Sequence, residues 1–150
     1  MISLVTLAHR VSSIHKRYAN IHAAVFSFSI SQLRLKFWNR GATDYCKCET
    51  DLIQLCSELT EIRSIISNEE ELEPSNTISR EFAFALDVYI IALSDAITGL
   101  ATICRHQCKE SMGVEPYNTK QNLADRHDYD HSIQQYRRLG ERLGDLFKRL

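Results

Sequence analysis

The residues from Thr77 to Cys108, TISREFAFALDVYIIALSDAITGLATICRHQC, constrain the fold more than any other part of the chain. Phe82, Leu86, Tyr89, Leu93, Ala96, Leu100 and Ile103 recur at steps of four and three, the spacing of one stripe on an α-helix. Ile90 and Ile97 thicken that stripe, and Phe84, Val88 and Ile91 form a second apolar row on another side. Within it, Asp87, Ser94, Asp95, Thr98 and Arg105 keep the helix polar. A helix apolar around most of its circumference is a core helix or a membrane span. A span needs roughly 20 residues with few charges. Asp87 and Asp95 lie inside the candidate window, and each would cost about 2.5–3.5 kcal/mol at a bilayer centre. The stretch is therefore expected to be a long, mostly buried helix and not a span. Asn76 or Thr77 can cap its start, Pro74 blocks extension backwards, and Gly113 and Pro116 mark its far end.

A chain of 150 residues can bury one sizeable core, so a single helical domain over residues 1–150 is expected. The net charge of −1 gives no global case for nucleic acid or membrane attraction. Five glycines and two prolines argue against an all-β or disordered chain. The start, MISLVTLAHR, has no basic region ahead of its apolar run and does not read as a secretory signal. Five cysteines, an odd number not spread as a framework, read as reduced thiols in a cytoplasmic protein.

Other periodic segments flank the central one. Leu4, Leu7, Val11, Ile14 and Tyr18 predict a first amphipathic helix, and Ile21, Val25, Phe28 and Leu35 a second that ends near Trp38 to Gly41. Part of that second segment, AVFSFSISQLRL, also alternates as a strand would. Tyr45, Cys48, Leu52, Leu55, Leu59, Ile62 and Ile66 form a clean stripe that predicts a helix from Asp44 to Ser67. The loop NEEELEPSN should be solvated. A last helix is expected from about Leu123 to the end, with Ile133, Tyr136, Leu143, Phe147 and Leu150 facing inward. Gly140 and Gly144 make a small-xxx-small step on it, where a neighbour could approach closely. The fold class is thus an all-α bundle of about five helices around a long central one.

Charge is unevenly laid out. The first forty residues are basic without an acid, Asp44 to Glu81 is strongly acidic, and the last helix is basic again after His131. An acidic helix between basic neighbours explains this through surface ion pairs, each contributing about 0–1 kcal/mol. The sharper reading makes the acidic loop, Glu69, Glu70, Glu71 and Glu73, joined by Asp128 and Asp130, a docking surface for a basic partner.

Three readings compete for the polar cluster Asp125 to His131. Arg126 and His131 fit an R-x4-H spacing that resembles the signature of HEPN-type helical ribonucleases, with arginine holding the phosphate and histidine moving a proton. Asp128 and Asp130 depart from such a site by repelling phosphate. His127 and His131, at i and i+4, could hold a metal on one helix face. The third reading makes Asp125 a helix N-cap or first-turn acid and the rest a solvated helix start. Cys46, Cys48, Cys104, His106 and Cys108 could in principle form a zinc site but lack zinc-knuckle spacing, and the cysteines read as small apolar groups. Asp87 and Asp95, eight residues apart on a helix expected to be buried, need partners, for which Arg34 or Arg138 are candidates, or else line a cleft. No metal or cofactor motif is assigned.

Four segments, HAAVFSFSISQLRLKFWNRGA, TDLIQLCSEL, FALDVYIIALSDAITGL and NLADRHDYDHSIQQYRRL, resemble the YjaG-type family of bacterial helical proteins, over about two thirds of the chain. That resemblance implies an all-helical single domain and no particular activity. The functional expectation is a protein-binding module of immunity or antitoxin type that plugs a basic toxin domain, possibly a nuclease. The alternatives are a metal-independent ribonuclease using Arg126 and His131, and a structural protein that forms a homo-oligomer.

Overall fold

The computed structural model describes residues 1–26, 43–68, 70, 72 and 76–150. Four α-helices lie among them: α1 (Leu4–Phe26), α2 (Tyr45–Ser67), α3 (Thr77–Ser111) and α4 (Thr119–Phe147). No strand occurs among the described residues, and the single extended pairing is an isolated parallel bridge between Ile2 and Leu72.

Local chemistry sets the helix ends. The carboxylate of Asp44 accepts the Lys47 N–H at 3.0 Å, the Asn76 side chain accepts Ser79 N–H at 2.8 Å, and the Asn118 side chain accepts Lys120 N–H at 2.7 Å. Each satisfies a backbone donor that the first turn leaves without an intrahelical partner. At the other end of α3 the chain turns at Gly113, whose φ of 70° is the left-handed conformation that glycine adopts without a Cβ penalty.

The expected central helix is continuous over the whole stretch and three residues longer. Phe82, Leu86, Ile90, Leu93, Ile97 and Leu100 are fully buried on it. Around it, α1 contributes Leu7, Val11, Ile14 and Tyr18, α2 contributes Leu52, Leu55, Leu59 and Ile62, and α4 contributes Tyr129, Ile133 and Tyr136. Neighbours along α3 run antiparallel to it: Arg63 of α2 meets Asp87, and Tyr129 of α4 meets Gly99. Of the described helices, α3 alone is long and apolar enough to cross a membrane. Its apolar stripe is the one the other three helices cover.

Several expectations need correction. The described residues hold four helices and not five, because α1 runs on through Ile21 and Val25 to Phe26 without a break. Phe28, Leu35 and Trp38 to Gly41 lie outside the described residues. The second apolar row of α3 is not core: Phe84 is 72% exposed and Ile91 40%. The last helix starts at Thr119, capped by Asn118, so Asp125 sits in its second turn instead of at its cap, where it accepts the Tyr117 hydroxyl at 2.6 Å. That helix also ends at Phe147, and Phe147 and Leu150 are 38% and 45% exposed.

The cysteines depart furthest from expectation. Cys46 and Cys108 are joined by a disulfide with their Cα atoms 4.9 Å apart. The antiparallel course of α2 and α3 brings the start of one against the end of the other, so two cysteines 62 residues apart meet. Linear spacing carries no trace of that. Cys48, Cys56 and Cys104 are free thiols. The expected pairing of basic and acidic helices is present: Arg17 holds Glu58 at 2.9 Å and Arg10 holds Glu61 at 3.1 Å, tying α1 to α2.

Candidate docking surface

Glu70 is exposed, and its backbone N–H bonds the Asn68 side chain at 3.2 Å. Glu69, Glu71 and Glu73 lie outside the described residues. Asp128 and Asp130 are exposed on α4, on different flanks. Two residues apart on a helix means about 200° of rotation. Asp130 acts on His22 of α1, whereas the side of Asp128 continues into His131, Ser132 and Gln135, which border Ala92 and Asp95 of α3. Tyr129, between the two acids, packs on Gly99, roughly 33 Å along α3 from Thr77 at 1.5 Å per residue. Glu70 precedes Thr77. Glu70 and the pair Asp128 and Asp130, which the sequence suggested as parts of one surface, therefore stand near opposite ends of the bundle.

What the structure presents between them is the outer face of α3. Phe84, Val88 and Ile91, at i, i+4 and i+7, form an apolar ridge two turns long. Glu81 and Asp95 are exposed at its two ends, and Asp128 is exposed on α4 one turn before His131, which borders Asp95. Asp87, on the α2 side, is already engaged: its carboxylate accepts from Arg63 Nε at 2.8 Å and Nη2 at 3.4 Å. Arg63, on α2, is thus the partner of Asp87 among the described residues, in place of the candidate Arg138; Arg34 lies outside them. Asp95 is solvent-exposed, so the two aspartates do not line a common buried cleft. The apolar row was visible in the sequence, but which row faces water depends on the side from which α1 covers α3.

Arg126 and His131 diverge. The Arg126 guanidinium stands 5.3 Å over the Phe26 ring on the α1 side, whereas His131 borders the depression with Asp95 on the α3 side. Within one chain they do not face a shared phosphate. Among the described residues, no three His, Cys, Asp or Glu side chains gather as a metal site.

Sequence reasoning missed a polar cluster buried between α1 and α4. Tyr18 and Tyr129, each 1% exposed, share a hydrogen bond of 2.5 Å, and His22 Nδ1 lies 2.6 Å from the Tyr129 oxygen. Tyr18 and Tyr136 also meet edge-on. Burial, followed by the neighbouring Tyr129, raises the Tyr18 hydroxyl pKa far above its ordinary value, so it stays a proton donor. A neutral His22 can accept the Tyr129 proton, leaving the Tyr129 oxygen free to accept from Tyr18. Burial and then Arg137 lower the pKa of both His15 and His22, with Asp130 opposing at His22. The signal was present in the spacing of Tyr18 and His22, one turn apart, but nothing in the chain before folding points to Tyr129.

A histidine whose folded pKa lies below its unfolded value binds its proton more readily in the unfolded chain. The stability from His15 and His22 is therefore fully present above the ordinary value of 6.5 and is lost as pH falls below it. Thermal unfolding from neutral to mildly acid pH should show the melting temperature dropping. The double variant His15→Phe, His22→Phe should flatten that drop, and an equally steep fall in the variant would exclude these two residues as its source.

No family model, curated protein or solved structure matches the chain.

Proposed function

We propose that the protein is a binding module of immunity or antitoxin type that neutralises a basic toxin domain by direct contact. One observation carries the reading: Phe84 and Ile91, with the half-buried Val88 between them, form a ridge on the outer face of α3 that ends at the exposed acids Glu81 and Asp95, with Asp128 exposed farther along on α4. An apolar centre with a charged rim is the anatomy of a protein interface. A Phe exposed on a rigid helix is an anchor available to a partner's pocket. The acids at the rim steer a basic partner and set its orientation. Glu70, and Asp130 on the far flank, add negative charge beyond the ridge and act on approach more than on contact, and the acids Glu69, Glu71 and Glu73 add to the negative charge of the chain. Kinship with the YjaG-type family belongs to the same reading. So does a cytoplasmic location, with one consequence: in a reducing cytosol the Cys46–Cys108 pair would stand as thiols, and the module would work with that bond open.

The test is calorimetric titration against a basic toxin domain encoded by the adjacent gene, at low and high salt. Phe84→Ser should weaken binding by at least about thirty-fold, the scale of an interface anchor near 2 kcal/mol. The triple reversal Glu81→Lys, Asp95→Lys, Asp128→Lys should slow association and flatten its salt dependence. Wild-type affinity in both variants would overturn this docking face. Failure of the unaltered protein to bind the toxin would overturn the inhibitor reading itself.

A further inference from the structure

Helices α1 and α4 meet at the two ends of a gap. At one end Tyr18 and His22 join Tyr129, and His15 lies edge-on to Tyr136 at 5.8 Å between ring centres. At the other, His9 meets Phe147 at 6.1 Å. Between these aromatic closures runs a groove of ≈ 330 Å³, floored by Leu86 and Tyr89 of α3. That volume is at the lower end of the range for small-molecule sites.

The walls are small by residue choice. Ala8 and Ser12 line the α1 side, and Gly140 and Gly144 the α4 side. A glycine inside a helix costs about 1 kcal/mol relative to alanine. At Gly140 a reason is visible, since a Cβ would come within 3.2 Å of the Tyr89 ring. At Gly144 a Cβ would meet nothing within 4 Å. Close helix packing therefore does not explain Gly144, and what its missing side chain leaves is open groove.

The polar character of the groove has one sign. Its lining includes His9, Ser12 and His15 but no carboxylate. Arg137 stands three and seven residues before Gly140 and Gly144, on the α4 face that lines the groove, and its charge acts on the His15 imidazole. An apolar trough that ends at hydroxyl and imidazole groups under a guanidinium suits a tail with an anionic head.

We propose that this groove binds a small anionic amphiphile, a medium-chain aliphatic carboxylate, with its tail along Leu86 and Leu143 and its carboxylate at Ser12 and His15, facing Arg137. Desolvated methylenes on the floor supply affinity, and the charge-assisted contact fixes direction. The site lies on the α1–α4 side of the bundle and is independent of the ridge on the outer face of α3.

Decanoate, decanol and decyltrimethylammonium titrated by calorimetry into the full chain test it, with light scattering on the same samples. Decanoate should bind one to one, decanol about ten-fold more weakly, and the ammonium compound not at all. Gly144→Leu, which projects into open space and replaces a poor helix former, should keep or raise the melting temperature and abolish decanoate binding. Arg137→Gln, at an exposed position, should lower decanoate affinity about ten-fold and leave decanol unchanged. Any of four results overturns the proposal: no decanoate binding, equal binding of all three compounds, binding that survives both substitutions, or a dimer of the unaltered protein that Gly144→Leu dissociates, which would make a second copy the occupant.

Discussion

Replacing Cys46 and Cys108 together by serine is expected to cost about 4 kcal/mol of folding stability. The bond closes a loop of 62 residues, and the loss of loop-closure entropy from the unfolded chain at that length is of this size. Thiol–disulfide exchange by the free thiols Cys48 and Cys104 is disfavoured by burial. Burial pushes the Cys104 thiol up to about 12, and burial first, then Asp51 and Asp44, raises Cys48. Thiols held protonated at neutral pH are poor nucleophiles toward a disulfide. Urea unfolding checks the result by comparing the oxidised protein, the same protein in reductant, and the double variant. The last two should share a midpoint well below the first. If reductant leaves the midpoint of the unaltered protein in place, the bond contributes nothing to stability.

The second large effect separates two faces of one helix. Leu93→Ala, at a fully buried position of α3, should destabilise by about 3–5 kcal/mol, because it removes transfer free energy and leaves a cavity that a helix held on three sides closes only partly. Phe84→Ser, nine residues earlier on the same helix but 72% exposed, should change stability by no more than about 0.5 kcal/mol. Denaturant midpoints of the two variants decide it. Equal losses would place Phe84 in the core and remove the ridge. A neutral Phe84→Ser also makes that variant a clean probe of binding, since any loss of affinity then belongs to the interface.

What could be read before folding followed from local physics. The stripe Phe82 to Ile103, the Asn76 cap and the acid–base complementarity of α1 and α2 are consequences of spacing and charge along the chain, and the structure has each of them. The misses share one cause, that they depend on how helices lie against one another. Cys46 pairs with Cys108, Arg63 answers Asp87, and Tyr129 joins Tyr18 and His22 across sequence gaps that no periodicity spans. Phe84 and Ile91 looked like core because a row of apolar residues does not say which row is covered. Gly140 and Gly144 promised close approach, and only the first has it.

The Cys46–Cys108 bond has a topological outcome. It makes a covalent ring of α2, nearly all of α3 and the acidic connection between them, from which α1 and α4 emerge as two free arms. A protease that severed the backbone anywhere from residue 47 to residue 107 would leave both products in a single molecule until a reductant parted them. A cut in either arm would leave its helix held by packing alone.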